Sequence, residues 1–163
     1  MNLRVTLIVS ALLAPISLLA QEEPENPWSG KATLGYLATS GNTENSNLNT
    51  GLEVGFSTGQ WQHIANAFAI HAAENEVTNT EAYELGWKTE RQLTDHDFLF
   101  GRLDWRKDRF GGFYTQFSQT VGYGRRLINT DVHVLNAEIG FGARQSESQT
   151  GVKDDETIAR AGA

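Results

Sequence analysis

Along "LNTGLEVGF" (residues 48–56), Leu48, Leu52, Val54 and Phe56 alternate with Asn49, Gly51, Glu53 and Gly55. A period of two marks a β-strand with one apolar and one polar face. The same period recurs down the chain, broken each time by turn residues. It predicts strands at 31–39, 45–57, 61–73, 80–91, 98–107, 115–127 and 132–145, and "ETIARAGA" begins an eighth. In the first, Ala32, Leu34, Tyr36 and Ala38 share a face; in the third, Ile64, Phe68, Ile70 and Ala72 do, interrupted by Asn66. In the fourth, Tyr83, Leu85 and Trp87 oppose Glu84, Gly86, Lys88 and Glu90. In the fifth, Leu99, Leu103 and Trp105 oppose Arg102, Asp104 and Arg106. In the seventh, Ile139 and Phe141 oppose Glu138, Gly140, Gly142 and Arg144.

Three features bear on which face meets water. The strands run to roughly ten residues or more, against about 5–6 in ordinary soluble sheets and about 9–11 in strands that cross a bilayer. The polar face mixes charges with repeated glycine, which suits a crowded, curved interior. The connections alternate only loosely between short ("STGQ", "QLTDHD", "INTD") and longer ("SGNTENS", "ENEVTN", "DRFGGFY", "SESQTGVKDD"), and short turns at one end with longer loops at the other are the habit of outer-membrane barrels. Trp28, Trp61, Trp87, Trp105, Tyr36, Tyr83 and Tyr123 fall mostly on the apolar face or near strand ends, where interfacial girdles form. The expected fold is an all-β, antiparallel up-and-down transmembrane β-barrel. Leu48, Leu52, Val54, Phe56, Leu85, Trp87, Leu103, Trp105, Ile139 and Phe141 then face lipid. Glu53, Glu84, Lys88, Glu90, Arg102, Asp104, Arg106, Glu138 and Arg144 form a charge network in the lumen. A soluble periplasmic lipid- or ligand-binding barrel, with the apolar face turned inward, is the alternative.

Composition narrows the function. A formal net charge of −7 argues against a phosphate-backbone reader, so no nucleic-acid partner is expected. With no cysteine, disulfides, thiolate metal sites and cysteine nucleophiles are excluded. Residues 1–20, with Arg4 followed by an apolar run to Ala20, read as a secretory signal peptide. Residues 21–28 read as a flexible leader and 29–163 as the barrel.

The segments "GYLATSGNTENSNLNTGLEVGF", "GQWQH", "AYELGWKTERQLTDHDFLFGRLDWRKDRF" and "GYGRRLI" resemble the salt-induced outer-membrane protein family, also known as domain-of-unknown-function family 481. The "SGNT" turn and the spacing of Arg102, Asp104, Asp108 and Phe110 are its most specific parts. The resemblance implies an outer-membrane barrel of Gram-negative bacteria, with membrane lipid and the barrel-assembly machinery as partners. It implies a link to salt stress, and it supplies no catalytic residues. The chain departs from a complete member: seven strands and the start of an eighth are expected, and "ARAGA" lacks a terminal aromatic residue, so a carboxy-terminal truncation is expected.

The remaining chemistry is sparse. His63, His71, His96 and His133 are scattered, none with a serine at a nucleophile's spacing. The chain is read as a non-enzyme, with an outer-membrane hydrolase as the reading of another class. Asp95, His96 and Asp97 read as a solvated turn, and no metal or other cofactor is expected. Arg125 and Arg126, near a turn, read as contacts to lipid phosphates or as interface anchors.

Overall fold

The computed structural model describes residues 26–41, 44–130 and 133–162. The expected signal peptide, most of the leader, and residues 42–43 and 131–132 lie outside the described residues. Eight strands follow in order: β1 (Trp28–Thr39), β2 (Asn45–Thr58), β3 (Trp61–Glu74), β4 (Val77–Gln92), β5 (Asp97–Asp108), β6 (Phe113–Asn129), β7 (Val134–Ser148) and β8 (Lys153–Gly162). They make one sheet in chain order, each strand antiparallel to the next. The fold is all-β and up-and-down, as the alternation predicts. Among the described residues β1 and β8 are not paired with each other.

The eighth strand is longer than expected. It has 10 residues and pairs from Lys153 opposite Glu147 to Gly162 opposite Glu138. Its charged start, "KDDE", reads as loop by composition, yet the ladder to β7 carries it into the sheet.

The expected contrast between short and long connections is not found. At one end the links are 59–60, 93–96 and 130–133; at the other they are 40–44, Asn75–Glu76, 109–112 and 149–152. The polar segment "ENEVTN" is mostly strand, closed by a two-residue hairpin with φ of 49° at Asn75 and 64° at Glu76. Positive φ at both positions is the type I′ pattern, whose twist matches that of the strands. Polar composition marks strands that leave the apolar zone as readily as it marks loops.

Register divides the sheet into two faces. Leu52, Ala67, Leu85, Trp105 and Phe117 lie in one cross-strand row. Glu53, Asn66, Gly86, Asp104, Ser118 and Arg144 lie in the adjoining row on the opposite face. The charged face is concave: Lys88 on β4 reaches Glu138 on β7 across two intervening strands. One strand runs against its own pattern. Ile64, Phe68 and Ile70 pair with Gly55, Gly51 and Asn49, so the apolar row of β3 lies on the concave, charged side. Its convex side carries Trp61, His63, Ala65, Ala67, Ala69 and His71. The two-residue Gly59–Gln60 link, with φ of 56° at Gly59, sets this register, and a hairpin's register decides every side chain beyond it.

Candidate functional site: the charged concave face

Near the end carrying the 93–96 link, the concave face is packed. Phe98 is 0% exposed and Phe100 4%. Both lie on β5 in phase with Arg102, so alternation alone carries two large rings onto the charged side. Glycines on the neighbouring strands make room. A Cβ at Gly124 would overlap the Phe98 ring, and one at Gly122 would come within 2.6 Å of Phe100 Cζ. Bare backbone on β6 and β7 is therefore the seat of these rings.

Ions cover the rings. Lys88 Nζ lies 5.7 Å and 5.2 Å from the Phe98 and Phe100 ring centroids, within cation–π range. It also contacts Glu90 at 2.8 Å and bonds to Glu138. Arg126 reaches Glu90 at 3.8 Å and stands 5.5 Å from the Phe98 ring. Glu90 is buried. Two cations and two carboxylates balance, which is what makes their burial tolerable. Asn136, opposite Arg126 in register, has a buried Oδ1 with no hydrogen-bond partner among the described residues.

Toward the other end the face opens into a cavity of about 230 Å³. Arg102 Nε bonds both oxygens of Asp104 at 2.9 and 2.7 Å. Arg106 bridges Glu84 at 3.4 Å and Asp108 at 2.9 Å. Arg144 donates to Ser118 Oγ at 3.3 Å and lies 4.0 Å from Glu156. These pairs are wetter than the Lys88 cluster, and Arg106 is half exposed.

The nine charges expected to form one network thus form two groups, Lys88–Glu90–Glu138 and the arginine pairs. Glu53 lies on the same face by register but makes no ion pair among the described residues. The ten residues expected on the apolar face all lie on the convex side. Sequence reasoning missed Arg126, Phe98, Phe100 and Glu156 as members of the site. Parity would have found them: Arg125 and Arg126 are neighbours, so one must face each way. Arg126 joins Glu90 inside, while Arg125 meets Asp97 outside at 3.6 Å. Asp97, expected in a solvated turn, accepts from Thr94 at 2.8 Å and from the Tyr123 hydroxyl.

Among the described residues this face assembles no catalytic constellation. Its chemistry is that of a packed ionic floor beside a polar recess. The family model described as "Protein of unknown function, DUF481" matches residues 32–163. A curated relative, the uncharacterized protein YdiY of Escherichia coli (strain K12), is 35% identical over 122 residues, which is 74% of this chain and 48% of that protein. The chain therefore spans about half the length of the curated relative it matches. No solved structure matches. The family match over nearly all of the described sheet and the 35% identical relative agree: the chain belongs to the DUF481 family.

Proposed function

We propose that this chain is part of an outer-membrane β-barrel of a Gram-negative envelope, with its convex face in lipid and its charged face toward the lumen. The observation that carries the reading is a bounded uncharged band on the convex face. On β4 that face reads Glu81, Tyr83, Leu85, Trp87, Thr89, Arg91; on β5 it reads Asp97, Leu99, Gly101, Leu103, Trp105, Lys107. Charge stands at both ends of each strand and nowhere between. About ten residues at roughly 3.4 Å each, tilted by about 40°, rise roughly 26 Å, close to the apolar band of such barrels.

An aromatic cluster at one margin adds support. Trp28 and Phe56 lie with ring centroids 4.6 Å apart. His63 stacks on Trp61 at 6.1 Å and meets Trp87 edge-on at 6.1 Å. Amphipathic rings at one level are what an interfacial girdle needs. The reading also requires the free edges of β1 and β8 to be paired, since open edges are not tolerated in hydrocarbon. The role is structural or pore-like and non-catalytic, with the salt association that the family name carries. Lipid is the standing partner and the barrel-assembly machinery the partner during insertion.

The test is fractionation of the full-length protein expressed with its leader, followed by electrophoresis with and without boiling. Recovery in outer membranes with a heat-dependent change of mobility is expected. Soluble periplasmic protein without such a change would overturn the reading.

A further inference from the structure

We infer that the convex face over β5–β8 carries a seat for a zwitterionic phospholipid of the phosphatidylethanolamine type. The inference rests on the outer-membrane reading and adds a specific occupant to it. An apolar groove of about 820 Å³ runs between two rows of side chains. Leu99, Tyr123 and Ile139 form one wall; Val121, Phe141 and Ala159 form the other. Gly122 and Gly140, which face the concave side, supply its backbone floor. Val121 and Phe141 also line a second apolar depression of about 570 Å³ further along the sheet. The two depressions lie side by side across the strands, with the Val121–Phe141 row between them, and together they offer apolar surface for acyl chains.

Charge of both signs lies just beyond one wall of the groove. One residue pair beyond the Leu99–Tyr123 wall, Asp97 lies opposite Arg125 on the same face. The Arg125 side chain is 58% exposed and is held 3.6 Å from Asp97. Its position opposite Ala137 leaves the β7 side of the guanidinium unobstructed by a long neighbour. Asp97 takes hydrogen bonds from Tyr123 on one oxygen and Thr94 on the other. A carboxylate accepts about four, so capacity for an ammonium remains. A phosphate on Arg125 and an ammonium at Asp97 are adjacent groups on one phosphoethanolamine head. A purely anionic head such as phosphoglycerol satisfies Arg125 but sets a negative charge beside Asp97. The groove sits at the end of the sheet that holds the Trp28–Trp61 cluster, so chain and head fall at the depths of core and interface.

The test reconstitutes the full-length protein in vesicles of equimolar phosphatidylethanolamine and phosphatidylglycerol. Lipids retained after detergent extraction are then counted by native mass spectrometry. Enrichment of phosphatidylethanolamine of roughly three- to tenfold is expected, the scale of one ordinary solvent-accessible hydrogen bond. Asp97→Asn should abolish the preference, Arg125→Gln should lower retention of both lipids, and Val121→Trp, which fills the groove, should lower it whichever head is present. Equal retention of the two lipids, unmoved by these variants, identifies ordinary annular lipid and overturns the inference. Retention of lipopolysaccharide in their place also overturns it. The heat-dependent gel shift of the same preparations separates the two failures: its loss removes the barrel reading, whereas a normal shift without selectivity removes only the seat.

Discussion

Gly124 and Phe98 form one unit of the packed end, and neither has its role without the other. Burying a phenylalanine side chain is worth about 1.5–3 kcal/mol, and Phe98 is 0% exposed because β6 presents no Cβ beneath it. Gly124→Ala puts a methyl group into the ring. The sheet must shift or the ring must leave, and overpacking of this kind costs about 1–3 kcal/mol. Gly112, with nothing within 4 Å of an added Cβ, is the control: Gly112→Ala is expected to change stability by less than about 0.5 kcal/mol. Urea unfolding of the two variants in lipid checks this, and equal midpoints would show that the Phe98 seat is soft. The ions above the ring follow a different rule. Lys88 is the cation common to Glu90 and Glu138, so Lys88→Met removes the ion-pair partner of Glu138 and leaves Glu90 with Arg126 alone. A loss of about 3–5 kcal/mol is expected, as for breaking a buried pair. Lys88→Met combined with Glu138→Gln should lose less than Lys88→Met by itself, and the double-mutant cycle measures that coupling.

At the level of the strand, links and registers were harder to read than faces. Strands β2, β4, β5 and β7 show their convex face in the sequence, because apolar residues alternate with charged residues or glycine near the middle. β3 does not, because both of its phases are apolar: Ile64, Phe68 and Ile70 in one, Ala65, Ala67 and Ala69 in the other. Size favours the first phase and register selects the second. The site was legible to the same extent. Charges on alternating positions could be assigned to one face, but which of them meet depends on curvature, and no period in a sequence encodes the reach of Lys88 from β4 to β7. The links misled for a local reason. Asn75–Glu76 closes a hairpin normally made by Asn-Gly, and Glu76 adopts φ of 64° without glycine's freedom. Glu76→Gly removes that strain, at some entropic cost in the unfolded chain. A net gain of about 0.5–1 kcal/mol is expected for relief of one left-handed residue. An unchanged or lower unfolding midpoint would show that the Glu76 side chain has a compensating contact.

For the molecule as a whole, the question is which side of the sheet lipid occupies, and β3 supplies the sharpest test because its pattern and its register disagree. Ala67 lies on the convex face in the row of Leu52, Leu85 and Trp105. Phe68, its neighbour, lies on the concave face opposite Glu84 and is 39% exposed. With lipid on the convex side, Ala67→Arg places a guanidinium inside the apolar band, at a cost of about 2–4 kcal/mol near the midplane. Phe68→Arg forfeits part of one ring's burial, about 1 kcal/mol for a side chain already partly exposed, and gains a carboxylate partner in Glu84. Replacing the small residue is therefore expected to be the more damaging change, the reverse of what residue size or the bare hydrophobic pattern of β3 suggests. Unfolding free energies of the two variants in lipid vesicles decide the matter. If Phe68→Arg is the costlier, then either lipid lies against the concave face or β3 sits one residue out of this register. Leu103→Arg separates those outcomes, because β5 has one apolar phase near mid-strand and its face does not depend on how β3 is paired. A cost of about 2–4 kcal/mol at Leu103 alongside a costly Phe68→Arg would keep lipid on the convex side and move β3. Tolerance at Leu103 would move the membrane.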